Sequence, residues 1–323
     1  MTNFYHVLAF QQIKAIEGQA VTLPCNVRLP EKKEDIALVL WFRDDSGVPV
    51  YSFDARSGSF YKATHFTDNP LSSRAHFNVN YKPPALKIEN VIKDDEGEYE
   101  CRVDYRKART EKWKIFLKII VPPKSVIIMD ENGQRLQGLV GPFNEGSILL
   151  LTCEADGGDP PPAVTWWQES IILNSDYIIT PLKISRNEFI IEALKREHLW
   201  AKLTCQASNT NSTSPVTGSI LLDLNLKPLH VRITSRRQPL SAGRRVEIEC
   251  QSVGSRPPAR MTWWKDGKKI FSASAITTPE NITISKLIFT PEIDDHKKVL
   301  TCRADNPDVG NSVKEAEWKL DVI

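Results

Sequence analysis

The fold of this chain is indicated by two stretches that read CEADGGDPPPAVTWW (residues 153–167) and CQSVGSRPPARMTWW (residues 250–264). The cysteine, a proline pair and the Thr-Trp-Trp run recur in both at one constant offset. A second pair of segments, residues 203–209 and 300–306, repeats at the same offset, and each segment contains a further cysteine. Two copies of one structural unit therefore follow each other along the chain.

All six cysteines fit one pairing scheme. Consecutive pairing gives separations of 76, 52 and 52 residues, two of which are equal. The predicted bridges are Cys25–Cys101, Cys153–Cys205 and Cys250–Cys302. A tryptophan follows the first cysteine of each pair, and this order is typical of the immunoglobulin sandwich, whose bridge joins strands B and F under the strand C tryptophan. Three such bridges predict an oxidising compartment.

The first unit has the features of a variable-type domain. Its longer inter-cysteine stretch leaves room for the additional strands C′ and C″. Residues 95–101 read DEGEYEC, which places Tyr99 two residues before the cysteine, at the position of the tyrosine corner. The same motif predicts an ion pair between Arg74 and Asp95. Residues 44–47 are predicted to form the turn between strands C and C′.

We therefore expect an all-β protein made of three tandem immunoglobulin-like sandwiches in an extended rod. The predicted domains are a V-type domain at 1–121 and two C2- or I-type domains at 122–227 and 228–323. The predicted joints, at 121–123 and 226–229, are short, contain proline and lack glycine. Such a composition favours a stiff connection.

Composition and motifs exclude several function classes. The 42 basic and 40 acidic residues leave a net charge of +2, which argues against a nucleic-acid binder. The six histidines form no zinc-protease pattern, no nucleophile elbow or phosphate loop occurs, and every cysteine is assigned to a bridge. We predict a protein without enzymatic activity, cofactor or metal. No signal peptide or membrane-spanning run is recognisable, so we expect a processed or trimmed piece, or a soluble protein.

A protein-binding face is expected on strands G, F, C and C′ of the first domain. Because side chains alternate along a strand and the core holds Trp41 and Cys101, the neighbours of these two residues point outward. Apolar and aromatic groups surrounded by charges are typical of protein interfaces. The predicted partner-binding residues are Leu40, Phe42, Tyr51, Phe53, Arg102, Lys112, Lys114 and Phe116.

Charge is unevenly divided among the predicted domains. The second carries 8 basic and 12 acidic residues, and the third carries 16 and 12. The third contains the pairs Arg236-Arg237, Arg244-Arg245 and Lys268-Lys269, which predict either a weak glycosaminoglycan contact or an ordinary solvated surface. Two sequons predict glycosylation at Asn211 and Asn281.

The stretch LWFRDDSGVPVYSFDAR (residues 40–56) resembles the first immunoglobulin domain of the Sidestep family, which are arthropod neuronal cell-surface receptors. Residues 160–167, 203–205 and 227–231 fit the same resemblance. It implies the ectodomain of a single-pass receptor on the extracellular side of the plasma membrane, acting in axon guidance and synaptic partner choice. It also implies heterophilic binding of Beaten path-type immunoglobulin proteins through the outermost V-type domain.

Two other functions remain open at the level of the sequence. One is homophilic adhesion through the same face of the first domain. The other is a structural role in the extracellular matrix that uses the basic third domain.

Overall fold

The computed structural model describes residues 11–25, 36–58, 62–67, 71–279 and 281–323, and every structural statement refers to these ranges. They fold into three β-sandwiches, here called domains one, two and three, which confirms the predicted all-β immunoglobulin-like architecture. Within these ranges no helix has the length and apolar character needed to cross a membrane. The short 3-10 turns lie at Ser72–Arg74, Lys93–Asp95, Arg196–His198 and Ile293–Asp295.

Domain one has the strand set of a variable-type sandwich. Its strands are β1 Gln11–Ile16, β2 Val21–Pro24, β3 Ile36–Arg43, β4 Tyr51–Asp54, β5 Thr64–Thr67, β6 Ala75–Asn78, β7 Ala85–Ile88, β8 Gly97–Tyr105 and β9 Glu111–Ile120. One sheet has the order β1-β9-β8-β3-β4-β5 and the other β2-β7-β6. Strands β4 and β5 are the predicted C′ and C″, so the longer inter-cysteine stretch builds the edge of the larger sheet.

Domain one contains two buried polar contacts that the sequence predicted, an ion pair and a tyrosine corner. Asp95 has no exposed side-chain surface, and its carboxylate accepts hydrogen bonds from Arg74 at 2.8 and 2.9 Å. The Tyr99 hydroxyl donates to the Asp95 carbonyl at 2.8 Å, which forms the tyrosine corner. The hydrogen bond to Asp95 is the main cause that raises the pKa of Arg74. A buried carboxylate is tolerated here because charged and backbone donors surround it.

Domain two is a nine-stranded sandwich. Its strands are β10 Ser125–Met129, β11 Gly138–Asn144, β12 Leu149–Asp156, β13 Ala163–Gln168, β14 Ile171–Asn174, β15 Ile178–Ile179, β16 Ser185–Ile191, β17 Lys202–Ser208 and β18 Val216–Asn225. The sheets have the orders β10-β12-β16-β15 and β11-β18-β17-β13-β14. Trp166 is fully buried, and its indole N–H points to the carbonyl of Asn187 at 3.4 Å.

Domain three repeats the arrangement with eight strands. They are β19 His230–Ile233, β20 Val246–Val253, β21 Arg260–Lys265, β22 Lys268–Ile270, β23 Ala273–Thr277, β24 Ile282–Phe289, β25 Val299–Asp305 and β26 Lys314–Lys319. Its sheets have the orders β19-β20-β24-β23 and β22-β21-β25-β26. The three predicted disulfides are present, one in each sandwich.

Direct contacts connect neighbouring domains at both joints. Between domains one and two, Val121 and Asp159 exchange backbone hydrogen bonds of 2.8 Å, and the Lys93 ammonium lies 2.5 Å from the Asp159 carboxylate. Between domains two and three, Arg256 pairs with Asp223 and its guanidinium lies 4.8 Å above the Trp200 ring. These contacts favour stiff joints, and the extended rod stays a prediction.

Candidate protein-binding face

The outer surface of the large sheet of domain one follows the predicted side-chain alternation. In β3, Val39 and Trp41 are buried, whereas Leu38, Leu40 and Phe42 are half-buried on the outer side. In β8 and β9 the inward positions are equally regular, with Cys101 fully buried. Lys112, Lys114 and Phe116 accordingly point outward, as expected for the charged and aromatic members of the face.

Strand register places one row of side chains across the middle of this surface. Leu40 lies opposite Ser52 on one side and Arg102 on the other, and Arg102 lies opposite Lys112. Beyond Ser52 the next partner is Phe66, whose side chain is 60% exposed. Because directly opposed residues share a face, Phe66 belongs to the same surface as Leu40. We call the outer surface of β9, β8, β3, β4 and β5 the GFCC′C″ face.

Two residues predicted to join this face do not reach it. Tyr51 and Phe53 are each 2% exposed, because they lie opposite Trp41 and Val39 and share their inward direction. The Tyr51 hydroxyl accepts a hydrogen bond from the backbone N–H of Phe77, on the opposite sheet, at 3.0 Å. The prediction that Tyr51 and Phe53 are exposed partner-binding groups is therefore wrong, and both are core residues.

The centre of the face combines the apolar groups of β3 with charges on β8, whereas an apolar centre surrounded by charges was expected. Glu98 and Glu100 project outward from β8 and pair with Lys114 and Lys112 at 2.5 and 2.7 Å. Arg102 pairs with Asp104 at 3.0 Å on the same strand. The ion pairs run diagonally between β8 and β9, since register places Arg102 directly opposite Lys112. A half-buried apolar stripe on β3 thus borders a row of paired charges.

Phe42 and Phe116 lie apart on this surface. Phe42 is opposite Glu100, and Phe116 is opposite Glu98 and, on its other side, Gln12 of β1. One strand separates the two rings, which corresponds to about 10 Å across the sheet. They can both contact one partner, but they do not form a single apolar cluster.

A shallow cleft of about 230 Å³ opens beside Phe42 at the end of the face. It is bounded by the predicted turn between β3 and β4, where Asp44 and Asp45 have the positive φ values of 48° and 53°. The Asp44 carboxylate accepts a hydrogen bond from the backbone N–H of Glu98 at 2.9 Å, which holds this turn against β8. The hydrogen bond therefore holds one side of the cleft in place, and the Asp44 and Asp45 side chains line that side.

Hydrogen bonds shift the pKa values of three charged groups on the face. The hydrogen bond from Lys114 to Glu98 raises the pKa of Lys114. Hydrogen bonds from Arg56 lower the pKa of Asp54 to about 2. Burial disfavours the charged form of Asp104, but hydrogen bonds from Thr110 and Arg102 outweigh burial and lower its pKa. The charged forms of Lys114, Asp54 and Asp104 are therefore favoured over a wider pH range than usual.

Sequence reasoning missed two members of this surface, Leu38 and Phe66, and one contact of a third. Leu38 follows from the same alternation as Leu40 and could have been included. Phe66 could be assigned only from the pairing of β4 with β5. No sequence signal showed that the Asp44 side chain would hold the turn against β8.

Other predicted sites are placed as follows. The sequon residues Asn211 and Asn281 are both exposed in turns, and their glycosylation stays a prediction. Among the described residues, no group of three or more His, Cys, Asp or Glu side chains is arranged to hold a metal ion.

Comparison with known families agrees with this architecture. The immunoglobulin V-set domain family matches residues 11–119, and the CD80-like C2-set immunoglobulin domain family matches residues 226–312. The chain belongs to the immunoglobulin superfamily. Its V-set domain contains the GFCC′C″ face, so the face lies on the part of the chain with an assigned domain type.

Individual relatives are distant and mostly much longer. Nephrin of Rattus norvegicus is 25% identical over 92% of this chain and 23% of its own length. Neural cell adhesion molecule 1 of Gallus gallus is 27% identical over 71% of this chain and 20% of its own length. The immunoglobulin-superfamily chain thus spans less than a quarter of these two relatives.

A solved structure supports the fold over the full length. A chain in the crystal structure of Dpr2 Ig1-Ig2 in complex with DIP-Theta Ig1-Ig3 matches with a TM-score of 0.50 and 20% identity. The match covers 97% of both chains. At this identity the likeness shows the arrangement of immunoglobulin sandwiches and nothing about residues at a binding site.

Proposed function

We propose that this chain is the recognition region of a Sidestep-type neuronal receptor. In this proposal the GFCC′C″ face of domain one binds a Beaten path-type immunoglobulin protein on another cell and thereby guides axons and synaptic partner choice. The observation that carries the proposal is an outward row of exposed Phe66, half-buried Leu40 and charged Arg102 across one V-type sheet.

The physical argument is that this row has the composition of a specific interface. An exposed aromatic ring provides area that is lost from water on binding, and arginine and aromatic residues dominate interface energetics. The paired charges on β8 and β9 supply a pattern that a complementary partner matches and a wrong partner opposes. Both properties suit selective binding of one among several related immunoglobulin proteins better than they suit unselective adhesion.

Three further observations support the setting of the proposal. The three disulfides are typical of an extracellular protein. The resemblance of residues 40–56 to Sidestep proteins covers the end of β3, the turn with Asp44, and β4, which form part of the candidate face. The solved relative described above is a complex between two different immunoglobulin proteins, which fits heterophilic binding.

A binding screen tests the proposal. The chain, displayed as a pentamer, is measured against a panel of extracellular immunoglobulin proteins that includes Beaten path-type proteins and the chain itself. We expect binding to one or a few Beaten path-type proteins, lost in a pentamer carrying Phe66→Asp and retained in one carrying Leu182→Asp. Leu182 is a matched control because it is 82% exposed on domain two.

The same screen separates the two alternatives. Binding only to itself, together with dimerisation of the chain in sedimentation experiments at micromolar concentration, would favour homophilic adhesion through this face. Binding to no immunoglobulin protein would favour a matrix role. The predicted glycosaminoglycan contact concerns domain three, and it is compatible with any of these outcomes.

A further inference from the structure

Three arginines line a cleft on domain three, whereas the GFCC′C″ face lies on domain one. The cleft has a volume of about 480 Å³ and lies between residues 235–241, the turn before β20, and β26. Arg236, Arg244 and Arg245 line it. The fold thus brings Arg236 next to Arg244 and Arg245, which lie eight and nine positions later in the chain.

The charges of these arginines are not neutralised within domain three. In the described part of the chain, neither Arg236 nor Arg244 nor Arg245 forms a salt bridge. Basic side chains elsewhere in the domain do: Arg260 pairs with Asp305 at 2.7 Å, and Arg303 pairs with Glu315. Glu247 also lines the cleft, but its carboxylate pairs with Lys286 at 2.8 Å. The three exposed arginines without acidic partners therefore leave a positive potential at the cleft.

The basic surface continues beyond this cleft. A second cleft of about 720 Å³ is also lined by Arg245, together with Phe271 and with Lys286, whose ammonium pairs with Glu247 at 2.8 Å. The Phe271 side chain is 82% exposed, and the Lys269 ammonium lies 5.2 Å from its ring centre. Because Arg245 lines both clefts, a ligand that uses both must be long and must carry negative charge at several points.

The predicted glycan leaves this surface free. Strand pairing places Val246 opposite Phe289 at one end of β24, and Val253 opposite Ile282 at the other end. Asn281 directly precedes Ile282, so it lies a strand length of about 24 Å from the Arg245 end. A glycan on Asn281 would therefore extend from the far end of the sheet.

We propose that these two clefts bind a linear sulfated glycosaminoglycan. The planar guanidinium group presents paired donors that match oxyanions such as sulfate, and the arginines supply several such groups along one path. Ser235, Gln238 and Ser241 line the first cleft and offer hydrogen-bonding groups to sugar hydroxyls. This interaction is separate from the proposed recognition by domain one, because it uses different residues on a different domain.

Affinity of the full chain for a heparin oligosaccharide tests the proposal. Arg244→Ala combined with Arg245→Ala should weaken binding by about tenfold or more, since it removes two charge-assisted contacts. Arg260→Ala combined with Arg303→Ala is the matched control, because it removes the same charge from the same domain and should change affinity less than about threefold. Thermal melts of both double variants establish that domain three remains folded.

Three comparisons make the result decisive. Wild-type affinity should fall by tenfold or more for chemically desulfated heparin, for poly-glutamate of equal charge, and for vesicles containing phosphatidylserine. Equal losses in the two double variants would overturn the proposal, because net charge alone would then explain binding. Undiminished binding of desulfated heparin, or binding of poly-glutamate or vesicles as tight as that of heparin, would overturn it as well.

Discussion

Replacing Asp95 with Asn should selectively destabilise domain one. The carboxylate is fully buried, and its partner Arg74 is 23% exposed. Breaking a fully buried pair costs ~3–5 kcal/mol, and partial access of water to Arg74 reduces this to ~2–3 kcal/mol. The substitution keeps the shape of the side chain, so the loss comes from the charge rather than from a cavity.

Hydrogen exchange measured by mass spectrometry on the full chain resolves this effect by domain. A loss of ~2 kcal/mol raises the opening equilibrium of the domain about thirtyfold, so peptides from residues 71–105 should exchange correspondingly faster. Peptides from domain three should be unchanged. Asp94→Asn is the control, because Asp94 is exposed next to the same site. Exchange in the Asp95→Asn variant within threefold of wild type, or an equal effect of Asp94→Asn, would refute the reasoning.

Two further predictions concern the region where domain one meets domain two. Burial opposes the charge of Glu96, but hydrogen bonds from Lys118, Lys93 and a backbone N–H lower its pKa from 4.5 to about 2. The carboxylate therefore stabilises the folded state above pH 4.5 and loses this effect as the pH falls towards 2. Glu96→Gln should flatten the acid-unfolding curve in that window, measured by tryptophan fluorescence, and an unchanged curve would contradict the assignment. In small-angle X-ray scattering, an extended rod predicts a radius of gyration of about 30 Å or more. Asp159→Ala should widen the distribution of this radius, because it removes the ion pair with Lys93 at the joint. A value near the ~20 Å of one compact body of this length would contradict the rod.

The sequence-based predictions were most successful for features that depend on buried cysteine and tryptophan side chains. Cysteine and tryptophan positions give the sandwiches and bridges, because these side chains meet in the core of every such domain. The same anchors assign the directions of side chains in β3 and β8. The ion pair of Arg74 with Asp95 and the corner at Tyr99 follow from a local motif whose geometry is constant in variable-type domains.

The sequence-based predictions failed in strands that contain neither a core cysteine nor a core tryptophan. Strand β4 contains neither cysteine nor tryptophan, and its side-chain directions depend on the length of the turn that precedes it. A shift of one residue reverses every side chain of a strand, and this is how Tyr51 and Phe53 were assigned to the wrong side. Phe66 was missed for the same reason, since its place depends on the pairing of β5 with β4. Diagonal pairing of Lys112 and Lys114 with the glutamates of β8 is likewise a property of the assembled sheet.

Recognition of a partner by domain one through the GFCC′C″ face is the proposal that a direct binding measurement can decide. Surface plasmon resonance of the full chain against a Beaten path-type ectodomain tests it most directly. Phe42→Ala and Phe66→Ala should each weaken binding by at least ~2 kcal/mol, about thirtyfold, mainly through faster dissociation, while Leu182→Ala leaves it unchanged. Phe116→Ala, at the β1 side, reports how far the contact extends. Affinities of both Phe42→Ala and Phe66→Ala equal to wild type, with unchanged thermal melts, would contradict the account.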